Sequence, residues 1–326
     1  MTSLQRILGF NASISSTFPP GLVALFVGAT SGIGEATLKA FAKHTRKSRV
    51  YFVGRSEESG ARILAECRAL NPEGEYIFMS ADVSLIKVVD EVCDNITARE
   101  PHLNILCLSQ GVARFDRSQT SENVHLLAAL TYYSRVRFMT RLLSLIKNAP
   151  GHRRVLTVAG GGLEGPLDPA DFPALRVPVE QLRGHLSSLI TLGLEAVGKM
   201  APEVSFIHDY PGTVNTPLSR RMLGENGVVP GTWITPEESG ERHVNLLTSK
   251  RYPPAQDKGF ESTGALGVDV VRGSDGEVGS GVYSLGYDGE CVSDETYGIL
   301  AGLREIGMVE QIWKHTEDEF ARITGQ

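Results

Sequence analysis

The chain is poor in features that mark several large protein classes. Its 326 residues include four cysteines, Cys67, Cys93, Cys107 and Cys291, none in a Cys-x-x-Cys or other metal-ligand spacing. That excludes a disulfide framework as the source of stability, gives no metal site, and predicts a reducing compartment, the cytoplasm. No apolar run, Leu22 to Val27 being one of the longest, approaches the roughly 20 residues that cross a bilayer, so no membrane span is expected. There is no basic block either: 32 Lys+Arg against 38 Asp+Glu give a net charge of −6 spread along the chain, which removes the electrostatic reason to expect nucleic acid. A small-molecule partner is the expectation. The opening MTSLQRILGFNASIS lacks a sustained apolar stretch and does not read as a secretory signal; a weak transit peptide is the alternative. In a reducing compartment the sequons at Asn11 and Asn95 carry no meaning.

What is present is an ordinary globular composition, 41% hydrophobic and 21% charged, in a chain long enough for one large α/β domain or two smaller ones. The order of elements favours one. Leu22 to Val27 is a continuously apolar run closed by glycine, as a strand buried on both faces should be, and Gly32 to His44 follows with helical spacing of Ile33, Leu38 and Phe41. Strands then read at 49–54, 75–83, 103–111, 153–161 and 204–212, with helices at 56–70, 84–99, 121–147, 179–200 and 236–249. Six strands alternating with helices predict a doubly wound parallel sheet, a Rossmann fold, with right-handed crossovers.

Outside the alternation lie an N-terminal arm (residues 1–20), a lid (about 217–235) and a C-terminal cap (about 251–326). The cap carries a hairpin signal, with Ser-Asp-Gly and Tyr-Asp-Gly turns flanking the alternating residues Val282, Ser284 and Tyr287, and then a helical tail from Asp294 to Thr324. The lid carries Leu218, Met222, Leu223, Val228, Val229 and Trp233, which can cover an apolar ligand or pack as core.

The first strand-to-helix junction carries Gly28, Thr30, Ser31, Gly32, Ile33 and Gly34. Glycines at that place let backbone N–H groups approach a pyrophosphate, while the helix N-terminus adds its positive dipole end. The second strand ends in Arg55 and Ser56, without the acid that would receive the 2′-hydroxyl of NAD. Arg55 offers a planar, permanently charged fork to a 2′-phosphate, so NADP(H) is preferred over NAD(H); the alternative is a surface pair with Glu57 or Glu58.

These motifs resemble those of the short-chain dehydrogenase/reductase family. Gly28 to Gly34 matches the family's TGxxxGIG with Val27 in place of its Thr, Asp82 and Val83 match its adenine-contacting pair, and Pro211, Gly212, Thr213, Val214, Asn215 and Thr216 match its PGxVxT segment. The resemblance covers about residues 20–218. It implies a single-domain Rossmann fold with a seventh strand near 280–287, the Pro211 to Thr216 segment beside the nicotinamide, Gly111 among the cofactor-binding residues, and a possible homo-oligomer through the long helices.

The family's proton chemistry is not carried over. A Tyr-x-x-x-Lys pair occurs nowhere in the chain, and counting back from Pro211 puts its place near Val179 to Arg183, where Arg183 can hold ribose hydroxyls but has no phenol beside it. Ala159 or Gly160 stands where the family has Ser, and Tyr132 stands near its Asn. Tyr132, Tyr133, His185, His208 and Tyr210 are the groups left to supply a proton, each with a packing role as the alternative. Three readings follow: a reductase of a small apolar carbonyl, enone or imine-like substrate, suited to a specialised metabolic pathway; a non-redox isomerase, cyclase or dehydratase; and a dinucleotide-binding sensor without turnover.

Overall fold

The structure is a computed structural model and describes residues 3–223, 233–257 and 269–325. Seven parallel strands form one sheet in the order β3-β2-β1-β4-β5-β6-β7. They are β1 (Val23–Val27), β2 (Arg49–Gly54), β3 (Glu75–Ser80), β4 (Ile105–Leu108), β5 (Arg154–Val158), β6 (Ser205–Asp209) and β7 (Val282–Leu285). The helices are α1 (Leu4–Thr17), α2 (Gly32–His44), α3 (Glu57–Leu70), α4 (Ile86–Thr97), the single turn α5 (Leu126–Ala128), α6 (Ser134–Lys147), α7 (Val179–Met200), α8 (Pro217–Leu223), α9 (Pro236–Thr248), α10 (Asp294–Glu305) and α11 (Met308–Thr324).

The alternation along β1 shows how sequence becomes layers. Val23, Leu25 and Val27 point into a core shared with α4, α6, α7 and α11, while Ala24 and Phe26 point into a second core under α2, α3 and α9. Both faces are therefore covered, which is why the strand reads as an unbroken apolar run. The chain builds outward from β1 to β3, then returns to β4 on the other side of β1. That reversal opens a crevice at the carboxyl ends of β1 and β4, where ligands bind in sheets of this kind.

Four details refine the sequence reading. The N-terminal arm is a helix: α1 docks through Ile7, Asn11 and Ile14, and Asn11 Nδ2 donates to Glu241 Oε2 of α9 at 2.7 Å while His44 of α2 approaches the same oxygen at 2.9 Å. Burial pushes the Glu241 carboxyl up, but the hydrogen bonds from His44 and Asn11 win and bring it to about 2. The expected C-terminal hairpin is instead a seventh parallel strand, with β7 paired to β6 and the flanking turns closed by the lone antiparallel bridges Arg272–Val278 and Leu285–Cys291.

The helix expected over 121–147 begins only at Leu126 and contains a π-helical turn, Ala129–Tyr133. That turn frees the Leu130 carbonyl from the regular ladder, and Arg135 Nε takes it at 3.1 Å. The tail breaks into α10 and α11 at Gly307, whose φ of +69° suits glycine. Among the described residues no helix is long and apolar enough to cross a membrane, and no group of three or more His, Cys, Asp or Glu is placed to hold a metal.

Candidate functional site

The crevice at the β1–β4 switch is a cleft of about 410 Å³. Its floor is the glycine loop. Gly28 has φ of +79°, and a Cβ there would lie 2.6 Å from the backbone nitrogen of Gln110; a Cβ on Gly34 would meet the Ser109 hydroxyl and sit 2.5 Å from the Gly28 carbonyl oxygen. Only glycine fits either position without displacing backbone. Ser31 precedes α2 and makes no side-chain capping bond, so the first-turn N–H groups stay available to an anion.

Thr30, Ser31, Gly32 and Ile33 line the cleft with Gly28 and Gly34. Arg55 stands on one wall, exposed and without a hydrogen-bonded or ionic partner among the described residues, while Asp82 and Val83 continue that wall and Gly111 and Thr216 complete the opposite rim. These are the groups a dinucleotide needs: a side-chain-free cradle for the pyrophosphate, a helix N-terminus behind it and a cation at the end of β2.

Several expected residues fall elsewhere. Ser56 caps α3, accepting from the Ser59 N–H at 3.1 Å, and does not face the cleft. Pro211 borders a smaller cavity with Asp209, His243 and Tyr287; Gly212, at φ of +74°, is packed against Ile234 and Tyr287. Val214 is buried and bridges to Ile234, and Thr213 is exposed beside it. Of the Pro211 to Thr216 segment, only Thr216 reaches the cleft.

Arg183 is exposed near the start of α7, and Val179 is exposed as well. The α7 face turned to the β5 loop is carried by Gly184, Ser187, Ser188 and Thr191. Gly184 lies against Gly165, whose N–H donates to Ser188 Oγ at 3.0 Å and whose carbonyl accepts from it at 2.7 Å. Neither Val179 nor Arg183 is on the lining of the cleft.

Three of the proton-donor candidates are held as structure. Tyr132 is fully buried, its ring packed on Gly193 and its hydroxyl paired with Thr316 at 2.7 Å; the Tyr133 hydroxyl is bonded to His315 Nε2 at 2.7 Å. Burial pushes both phenols up. His185 is buried with both ring nitrogens engaged, Nδ1 accepting from the Asp168 N–H and Nε2 donating to the Phe172 carbonyl, each at 3.2 Å. Burial lowers its affinity for a proton, and it staples the loop that precedes α7. Tyr210 differs: it is half-buried at the head of the Pro-Gly turn, and its hydroxyl has no partner among the described residues.

His208 belongs to a closed polar chain. The Gly160 N–H donates to His208 Nε2 at 3.0 Å, which places the ring proton on Nδ1; Nδ1 donates to Thr191 Oγ1 at 2.8 Å, and Thr191 donates to Glu164 Oε1 at 2.6 Å. Ser284 donates to the same oxygen at 2.5 Å and accepts from the Gly162 N–H. Burial drives His208 down to about 3 and pushes the Glu164 carboxyl up against the hydrogen bonds from Ser284 and Thr191. Both ends of the chain are amides of the glycine run after β5, so the cluster sets that loop.

Sequence reasoning missed three features. Arg135 is buried under the cleft with no carboxylate bonded to it: it donates to the carbonyls of Leu130, Val158 and Gln110 and to Thr157 Oγ1. Burial lowers it to about 10, so the cation persists at neutral pH. Ser187, nearly buried, places its hydroxyl in the space a side chain on Gly160 would fill, and that hydroxyl has no partner among the described residues. Arg221 of α8 lines the cleft beside Leu218, a residue of the expected lid. Arg135 had a legible trace, an arginine on the buried side of an amphipathic helix; the others depend on tertiary contact.

This crevice, opened at the strand-order reversal and floored by a glycine loop, defines a Rossmann-type nucleotide site. The short chain dehydrogenase family profile matches residues 22–157. An oxidoreductase of Emericella variicolor is 36% identical over 337 residues, covering all of this chain and 98% of its own, and an NmrA-like family domain-containing oxidoreductase of an Aspergillus species is 37% identical over 328 residues, covering 98% and 96%. A short-chain dehydrogenase/reductase of Stachybotrys chartarum is 28% identical over 346 residues, covering 97% and 96%. Among solved structures, L-sorbose reductase of Gluconobacter frateurii superposes with a TM-score of 0.57 at 16% identity, over 84% of this chain and 97% of that one. The chain belongs to the short-chain dehydrogenase/reductase family and is an oxidoreductase of that type.

Proposed function

We propose that the chain is an NADP(H)-dependent reductase of a small apolar carbonyl, enone or imine-like substrate. The observation that carries the cofactor preference is Arg55: it ends β2, is exposed and unpartnered among the described residues, and shares the cleft with the glycine loop, while Asp82 is the one carboxylate on the lining. Gly28 to Gly34 would hold the pyrophosphate and Arg55 the 2′-phosphate. The bound coenzyme supplies the hydride.

The chain's own part is to orient the substrate and manage a proton. Leu130 and Leu218 give the cleft apolar edges, and Met222 is exposed one turn further along α8, which supports an apolar substrate. Of the side chains first considered for the proton, Tyr210 is the one whose hydroxyl is uncommitted, and we assign it that role. Leu223, Val228 and Val229 of the expected lid lie outside the residues whose side chains are described.

The test is a titration of parent and Arg55→Ala with NADPH and NADH. The parent should bind NADPH at least tenfold more tightly than NADH, and the variant should lose that difference, since a charge-assisted bond contributes about 1.5–3 kcal/mol. Equal affinity of the parent for the two coenzymes would reject the preference. Turnover indifferent to added NADPH would favour the non-redox alternative, and binding without turnover the sensor.

A further inference from the structure

The cleft has a second uncommitted cation, and it stands on the lid. Arg221 lines the same cleft as the glycine loop and Arg55, is exposed, and has no hydrogen-bonded or ionic partner among the described residues. Its neighbour Arg220 is engaged, Nε donating to Asn215 Oδ1 at 2.8 Å. Other arginines near the surface are paired with a carboxylate, as Arg62 is with Glu35 and Arg137 with Asp90. Two guanidinium groups facing one cleft, with Asp82 as the one carboxylate on its lining, leave an excess of positive charge there that suits an anion.

The base of the lid is built against the glycine loop. The Thr216 N–H donates to Ser219 Oγ at 2.9 Å, and Ser219 Oγ donates to the Val214 carbonyl at 2.5 Å. The Asn215 N–H donates to the Ile234 carbonyl at 3.0 Å, and the Ile234 N–H to the Thr213 carbonyl at 2.9 Å. Thr216 in turn packs on Gly32: a Cβ there would lie 3.2 Å from its methyl carbon. The first turn of α8 is thus fixed over the loop that would cradle the pyrophosphate, on the opposite rim from Arg55, and Arg221 follows one turn later.

The geometry points to Arg221 of α8 as an arginine that binds the pyrophosphate of the dinucleotide, and so ties the position of α8 to the presence of the coenzyme. The inference rests on the dinucleotide reading above. Because the pyrophosphate is common to both coenzymes, Arg221 acts on affinity and Arg55 on the choice between them.

Equilibrium binding separates the two. Arg221→Ala should weaken NADPH and NADH together, each by about tenfold or more, and should weaken ADP while leaving adenosine 2′,5′-bisphosphate, which lacks a pyrophosphate, unchanged. Arg221→Lys should fall between, keeping the charge but losing the planar fork, and the loss in Arg221→Ala should shrink as salt is raised. Parent-like affinity of Arg221→Ala for both coenzymes would overturn the inference with the dinucleotide reading intact. Loss of NADPH alone would overturn it in favour of a second 2′-phosphate contact. Failure of the parent itself to bind either coenzyme would overturn the dinucleotide reading and this inference with it.

Discussion

The carboxyl edge of the sheet is made of two unlike halves. Above β1, β2 and β4 the polar groups face open space: the first turn of α2 has no side-chain cap, and Arg55 and Arg221 have no partner among the described residues. Above β5, β6 and β7 most polar groups bond to one another, from the Gly160 N–H through His208, Thr191 and Glu164 to Ser284 and the Gly162 N–H, with Ser188 clamping Gly165 alongside, while Glu164 Oε2 and the Ser187 hydroxyl have no partner among the described residues. Buried polar groups need partners wherever they lie. What separates the halves is who supplies those partners, a ligand on one side and the protein itself on the other. The chain holds no Tyr-x-x-x-Lys pair, so the dinucleotide binding proposed for the open half would go with a different way of handling the proton.

The largest effect should come from closing the open half. Gly34→Ala places a methyl against the Ser109 hydroxyl and the Gly28 carbonyl, which should cost about 1–3 kcal/mol of stability and reduce coenzyme affinity beyond detection in a titration on the folded fraction. Tight binding by that variant would break the comparison.

The self-satisfied half should instead reveal itself through acid. His208 is held to about 3 by burial, and His152 likewise, with the Arg154 charge adding to burial there; both return to about 6.5 on unfolding. The unfolded chain therefore binds more protons between those values. Their contribution is complete above about pH 6.5 and drains away as pH falls toward 3. Glu164 works in the opposite sense, its raised carboxyl contributing below the ordinary glutamate range and losing that contribution as pH rises through its folded value. The unfolding free energy measured from pH 7 to 4 should fall, with His208 and His152 supplying about two protons of its slope against pH, and His208→Gln should reduce that slope by about one; an unchanged slope would mean His208 is not held neutral.

The smallest effects sharpen the comparison at single hydroxyls. Tyr132→Phe removes a bond to Thr316 and should cost about 1 kcal/mol of stability with turnover per folded molecule unchanged. Tyr210→Phe should leave stability alone and lower turnover about a hundredfold, the scale of a lost general acid. Reversed outcomes in steady-state kinetics would exchange their roles.

The legible parts of the molecule are those set by neighbours in sequence. The apolar run of β1, the glycines at 28, 32 and 34, and Arg55 at the end of β2 each follow from local backbone or burial needs, and the cleft they form is where that reasoning put it. The Glu164 cluster was not legible, because its partners are distant in the chain: Gly160 meets His208, and Gly162 meets Ser284 across 122 residues; nor was the lid arginine, whose place on the cleft depends on Thr216 packing on Gly32. The arm's docking on Glu241 was hidden for the same reason.

Arg135 fastens three elements with one planar group, since its hydrogen bonds end on the carboxyl edge of β4, the carboxyl edge of β5 and the π-helical turn that carries Leu130. A rigid fork imposes a common frame on whatever it grips. The floor of the cleft and the turn that leads into α6 are therefore held in register by one side chain, and a substitution at Arg135 would loosen both at once.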